Sequence, residues 1–325
     1  MVLKYREAVT EAIAEEMERD PTVVLFGEDV ARAGGTFLAT RGLLDRFGPA
    51  RVRDTPISEG ALVGAAIGAA MTGLRPIVEI MFFDFLTLAS DQLVNHAAKV
   101  ASVSDGEFAV PMVMRTLSGA GKAAGPQHGQ SLETWIAHVP GLKVVMPSNP
   151  ADMKGLLKAA VRDSGPVVVV ESLAVWGLKG EVPEGDHVVA IGEAAVAREG
   201  GDVTLVSWGG AVQRTLAAAE LLAGEHGISA EVLDLRTLSP LDSGAILRSL
   251  EKTGRIAVVH DAVGPFGGGA EVAAVAASEG FDLLRAPVLR VTAPFAPVPL
   301  PPALEATYYP QPDGIAAEVA RSLSR

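Results

Sequence analysis

Apolar positions near the start of the chain recur every three or four residues. Tyr5, Ala8, Val9, Ala12, Ile13 and Met17 share one face, which predicts an amphipathic helix with that face buried. Asp20-Pro21 ends it. A short β-branched run at 22–26 predicts a buried strand. It stops at Gly27-Glu28-Asp29, so acidic side chains emerge where the strand ends. In open α/β sheets that edge is where ligands bind. The same alternation then repeats. Strands are predicted at 76–80, 111–116, 143–146 and 167–171, and helices at 60–72, 84–102 and 151–162. Strands apolar along their whole length, separated by helices, imply a parallel sheet covered on both faces.

The stretch 176–186 is rich in Gly, Pro and charge and reads as a linker. After it the pattern restarts, with strands predicted at 203–207, 230–235, 255–259 and 288–291. Helices are predicted at 211–224, 242–252 and 269–278. The Pro-rich run 294–302 cannot be a central strand. The expected fold is α/β, with two doubly wound domains over residues 1–180 and 187–325.

Composition narrows the picture. Of 325 residues, 49% are apolar and 20% charged, as in a core-forming globular chain, and the net charge is −12. A duplex-binding protein would need a basic face, so no nucleic-acid partner is expected. The absence of cysteine excludes disulfides, thiolate metal sites and a Cys nucleophile. The longest apolar stretch, near 61–73, is too short to cross a bilayer, and the N-terminal segment lacks a signal peptide's apolar core. A soluble, cytoplasmic protein without a membrane partner is expected.

Generic motifs give little: there is no GxxxxGK[ST], GxGxxG, HExxH or GxSxG, and no histidine pair at metal-ligand spacing. Three local features stand out. Ser58-Glu59-Gly60 opens the very apolar run ALVGAAIGAAMTG. Its carboxylate either complements the helix dipole or is a buried catalytic acid with a raised pKa. Gly64 and Gly68, four apart, predict tight helix packing. Met81-Phe82-Phe83-Asp84-Phe85 concentrates aromatics in a chain where they make up only 5%. Core filling and a surface for stacking a heteroaromatic ring both fit that cluster. The segment Gly119–His128 is a Gly-rich, mobile-looking loop after a strand. Its His128 is either a solvated bystander or an acid/base group.

The residues themselves carry a resemblance that the templates miss. The stretch 7–80, from EAVTEAIAEEM to GLRPIVEI, resembles the β subunit of the E1 component of 2-oxo acid dehydrogenase complexes. So do QHGQSLETWIAHVPGLKVVMPSNPADMKGLLKAAVRD and AEVLDLRTLSPLD. These are thiamin-diphosphate-dependent enzymes of the transketolase-like superfamily. The resemblance implies a pyrimidine-binding transketolase-like domain followed by a transketolase C-terminal-like domain. It implies that Glu59 hydrogen-bonds N1′ of the cofactor's aminopyrimidine, that Phe85 stacks on that ring, and that His128 orients substrate or assists acyl transfer. Glu28 falls among acidic residues lining a tunnel between paired sites. Met112, Ala160 and Asp163 match backbone positions that hold a monovalent cation, K⁺, in some relatives.

The superfamily holds Mg²⁺ and the diphosphate with a GDG motif followed by Asn, and this chain has no GDG. The resemblance therefore implies half a site, completed by an E1 α subunit in an α2β2 heterotetramer. The implied reaction is decarboxylation of a small 2-oxo acid and reductive acylation of a lipoyl group on the E2 acyltransferase. Gln127-His128 resembles the pyruvate and acetoin branches. Gly129 stands where relatives usually have Ser, and Phe295 and Leu300 where many have Asp and Tyr. That C-terminal drift bears on E2 docking. Two other readings remain at this stage. One is a split transketolase-type carboligase or acetoin-cleaving subunit, which hands its two-carbon unit to another acceptor. The other is a non-catalytic scaffold, which would have no use for Glu59, Phe85 and His128 together.

Overall fold

In a computed structural model, which describes residues 1–324, the first half of the chain builds a sheet from alternating strands and helices. A short β1 (Val2–Lys4) leads into α1 (Tyr5–Arg19), β2 (Val23–Gly27), α2 (Leu43–Phe47) and β3 (Val52–Asp54). Next come α3 (Glu59–Met71), β4 (Arg75–Phe82) and the small helix α4 (Val100–Val103). The half closes with β5 (Val113–Ser118), α5 (Glu133–Ala137), β6 (Lys143–Val145), α6 (Pro150–Arg162), β7 (Val167–Ser172) and β8 (Lys179–Glu181). The second half runs β9 (Ala195–Arg198), β10 (Val203–Ser207), α7 (Ala211–His226), β11 (Ala230–Asp234) and β12 (Thr237–Ser239). It ends with α8 (Ser243–Thr253), β13 (Ile256–Val263), α9 (Gly268–Ser278), β14 (Leu289–Ala293), α10 (Pro302–Tyr308) and α11 (Pro312–Leu323).

The main sheet has seven strands in the order β12-β6-β7-β5-β4-β2-β3, parallel except for β12. The second sheet is β14-β13-β10-β11-β9, parallel except for β9. The central strands are buried along their whole length, as their continuous apolar runs require. Helices α1 and α6 cover one face of the main sheet, and their apolar stripes form one core with Leu25, Ile77, Val113 and Val169. The Pro-rich run 294–302 is not a strand, as expected.

Two sequence expectations change. The segment 84–102 is not one helix. A 3-10 turn (Phe83–Ala89), a π turn (Gln92–Ala97) and α4 replace it. Leu86, Ala89, Leu93 and Ala97 stay buried at spacings of three and four, so the apolar pattern records the inward face but not how the backbone winds. Gly64 and Gly68 do not mark tight packing: a Cβ on Gly68 would meet nothing within 4 Å, and on Gly64 only Gln92 Cγ at 3.8 Å. The close approach is at Gly60, where a Cβ would lie 3.3 Å from the Leu88 carbonyl oxygen. Within the stretch 176–186, β8 pairs antiparallel with β1, so this segment ties down the N-terminus.

The two halves interlock. β12, which follows the second sheet's β11, pairs with β6 as the edge of the main sheet. Ser148 donates to the buried Asp234 carboxylate at 2.5 Å, and burial pushes the Asp234 carboxyl up to about 7. Trp208 Nε1 donates to the buried Glu133 carboxylate at 3.3 Å, while Glu133 Oε2 has no partner. Burial pushes the Glu133 carboxyl from 4.5 up to about 7. Between those values the folded chain holds a proton that the unfolded chain releases. The contribution to stability is complete below the lower value and is lost as pH rises through the upper one. Glu133→Gln keeps an acceptor for Trp208 and cannot ionise. Its melting temperature should match the parent's near pH 5 and exceed it at pH 8, read by thermal denaturation at both. A difference independent of pH would refute this account.

Candidate active site

Four parallel neighbours, β3, β2, β4 and β5, release the chain at the same edge of the main sheet. Each is followed by a residue singled out from the sequence. Glu28 comes directly after β2, Glu59 starts α3 beyond β3, Phe85 lies in the turn after β4, and His128 lies in the loop after β5. The topology, rather than nearness in sequence, assembles them.

Glu59 is buried in the first turn of α3, where the exposed N–H groups favour a negative side chain. Glu28 is buried beside it. Desolvation, then the Glu59 charge, push the Glu28 carboxyl up. The Glu28 loop is fixed by Asp54 at the end of β3, whose carboxylate accepts the Ala31 N–H at 2.7 Å and the Arg32 N–H at 3.2 Å.

The aromatic cluster holds His128. Its ring packs edge-on against Phe82 at 4.9 Å between centroids and against Phe85 at 5.2 Å. Phe37, from the loop after β2, meets Phe82 at 5.7 Å. The cluster presents a half-buried histidine beside two phenyl rings.

The loop carrying His128 closes on itself. A Cβ on Gly119 would overlap the His128 carbonyl, so only glycine lets the loop's two ends touch. Gly121, Ala123 and Gly125 have positive φ, +53° at Ala123. Sequence reasoning missed Asp84. This buried residue accepts Gln130 Nε2 at 2.7 Å through Oδ1, while Oδ2 has no partner. It anchors the loop to the turn bearing Phe85. Its sequence signal was slight: one acid inside an aromatic run.

A second missed group lies deeper. Arg115 on β5 is fully buried between Glu79 on β4 and Glu171 on β7. Nη1 donates to Glu79 at 2.7 Å, while Nε and Nη2 donate to the two Glu171 oxygens at 2.7 and 3.0 Å. Glu79 sits opposite Gly27 in the ladder, and its charge also raises the Glu28 carboxyl.

The backbone trio lies away from this edge. The Met112 carbonyl accepts the Val167 N–H at 3.0 Å, and that of Ala160 accepts the Asp163 N–H at 3.3 Å. The Asp163 carbonyl accepts Arg75 Nη1 at 2.9 Å. Among the described residues no group of three or more His, Asp or Glu could hold a metal ion, and no helix is long and apolar enough to cross a membrane.

Comparison with known proteins gives a consistent answer. Residues 2–174 match the transketolase pyrimidine-binding domain and residues 192–315 the transketolase C-terminal domain. The chain is 47% identical to the β subunit of acetoin:2,6-dichlorophenolindophenol oxidoreductase of Bacillus subtilis, over 97% of this chain and 95% of that one. It is 45% identical to the 2-oxoisovalerate dehydrogenase β subunit of the same organism, over 97% of each chain. To the pyruvate dehydrogenase E1 β subunit of Acholeplasma laidlawii it is 43% identical, over 98% of each. A solved split-gene transketolase, an inactive β4 tetramer, shares the fold with a TM-score of 0.82 at 24% identity, over 99% of both chains.

Proposed function

The chain belongs to the family of thiamin-diphosphate-dependent E1 β subunits of 2-oxo acid dehydrogenases, and we propose that it supplies the aminopyrimidine half of an active site completed by an α subunit. The observation that carries this is the delivery of Glu28, Glu59, Phe85 and His128 from four adjacent parallel strands to one edge.

The residues present fit the group. Asp84 Oδ2 and Gln92 Oε1 are buried acceptors without partners, and Gln92 Oε1 lies against the first turn of α3. An aminopyrimidine brings N–H donors and a flat ring. Glu59 would hold a proton at N1′, Phe85 would pack on the ring, and Glu28, its carboxyl pushed up by burial and the Glu59 charge, would line the pocket beside Glu59. When bound, thiamin diphosphate supplies the electron sink for decarboxylation. His128, held against Phe82 and Phe85, would orient the substrate carboxylate and donate a proton during acyl transfer. Mg²⁺ and the diphosphate would be held by the α subunit, in an α2β2 assembly. K⁺ would use the second lone pairs of the Met112, Ala160 and Asp163 carbonyls. Gln127-His128 favours a small acyl group, as from pyruvate, with a lipoyl group on E2 as acceptor. The similarity to an acetoin-oxidising subunit supports the second reading, cleavage of acetoin at the same site.

The test is to co-express the chain with an α subunit carrying GDG and Asn. Thiamin diphosphate binding is measured for the complex and for each chain alone, and turnover is then assayed with pyruvate, 2-oxoisovalerate and acetoin. Cofactor retained only by the complex, with decarboxylation of pyruvate and transfer to a lipoyl domain, is expected. Tight cofactor binding by the isolated chain would refute the half-site. Turnover of acetoin alone would select the second reading.

A further inference from the structure

We propose that residues 294–309, the segment after β14, form a strap that fixes the His128 loop in its working position, with Glu305 as the latch. This rests on the assignment of His128 to the substrate side of the site.

Glu305 lies in α10 and is only 5% exposed. Its Oε2 accepts the Ala123 N–H at 2.5 Å, a contact across 182 positions of sequence. The left-handed turn at Ala123 aims that N–H at the carboxylate. At the far end of the loop, the Tyr309 hydroxyl donates to the Gly129 carbonyl at 2.9 Å. Between these points the strap packs on glycines. A Cβ on Gly125 would come within 2.9 Å of Leu300 Cδ1, and one on Gly129 within 3.2 Å of Val298 Cγ1.

Gly129 and Leu300 are two of the positions where the sequence departs from the family pattern. The structure places both where strap meets loop: Leu300 lies on Gly125 and Val298 on Gly129, an aliphatic surface laid over glycines. Residues 121–123 border a cavity of about 430 Å³ shared with Arg214 and Gln311, and Lys122 is exposed. A buried hydrogen bond across that gap decides where the loop sits. Displacing a substrate-positioning group by about 1 Å can cost roughly 10²-fold in rate. Glu305 and Tyr309 are therefore positioning residues.

The experiment uses Glu305→Ala, Glu305→Gln and Tyr309→Phe. Tryptic cleavage after Lys122 is followed in the full chain, and kcat, KM and cofactor affinity in the complex with the α subunit. Cleavage should rise about tenfold in Glu305→Ala, since proteolysis reads the open population. In the same variant kcat should fall on the order of 10- to 100-fold with cofactor affinity unchanged. Glu305→Gln retains an accepting oxygen and should recover both. Tyr309→Phe, which loses one hydroxyl, should show a smaller change of the same kind. Unchanged cleavage in Glu305→Ala and Tyr309→Phe overturns the strap. So does faster cleavage with kcat intact, or a failure of glutamine to recover the loop. If the parent complex turns over no 2-oxo acid or acetoin while cleavage still follows the latch, the strap stands and the reaction assigned to the site fails.

Discussion

Glu59→Gln should lower turnover of the assembled complex by roughly 10²–10⁴-fold, the range supplied by a positioned proton-transfer group. Glutamine has nearly the shape of glutamate and can still hydrogen-bond a ring nitrogen, but it cannot share a proton with it. Stability should change little, because the lost charge–dipole interaction in the first turn of α3 amounts to about 0.3–1 kcal/mol. The measurement is steady-state turnover at saturating cofactor, with a thermal melt of the same sample. Turnover within about threefold of the parent would return Glu59 to the role of helix-terminal carboxylate and revive the scaffold reading. The change also removes the like charge that helps raise the Glu28 carboxyl, so the Glu28 carboxyl should titrate lower in the variant.

Arg115→Met should be the most destabilising single change in the first half of the chain. It leaves Glu79 and Glu171 buried without their cation, and removing one partner of a buried ion pair costs about 3–5 kcal/mol. For a chain of this size that is a fall in melting temperature on the order of 10 °C. The sign of the pH dependence follows. Burial already pushes the Glu171 carboxyl up and Arg115 opposes it, so the variant should recover stability as pH falls and Glu171 takes up a proton. Adding Glu79→Gln and Glu171→Gln should restore part of the loss at neutral pH. A single variant melting within 2 °C of the parent would show the triad to be dispensable. The triad is weak evidence for stability as such. The Glu79 charge opposite Gly27 does mean that the sheet interior contributes to the proton affinity of Glu28.

The sheet was legible because its strands are buried on both faces and so appear as uninterrupted apolar runs. The ends of those runs, at Glu28 and before Phe85 and His128, fell at the edge where the site forms. Legibility failed where a single residue type carries two meanings. Arg115 sits in an apolar run that is a core strand all the same, because two glutamates from neighbouring strands neutralise it. Leu86, Ala89, Leu93 and Ala97 keep the spacing of a helix while the backbone passes from 3-10 to π winding. Gly64 and Gly68 had the spacing of a packing motif, yet the close contact formed at Gly60. Glu305 could not be found at all: a helix acid 182 residues from Ala123 gives no local sign of what it accepts. The departures at Gly129 and Leu300 were visible singly, but only the fold shows that the strap lies on the loop, Val298 against Gly129 and Leu300 against Gly125.

The exchange of β12 has a consequence for how the chain could ever be divided. A fragment ending at the glycine-rich stretch after β7 would leave β6 as a bare edge, with Val144 and Val145 buried in the intact protein and three residues' backbone groups unpaired. Such an edge recruits any extended strand that reaches it. The first half cut from the second would therefore tend to complete its sheet with another molecule's backbone, and its solubility would depend on supplying Thr237–Ser239 in trans.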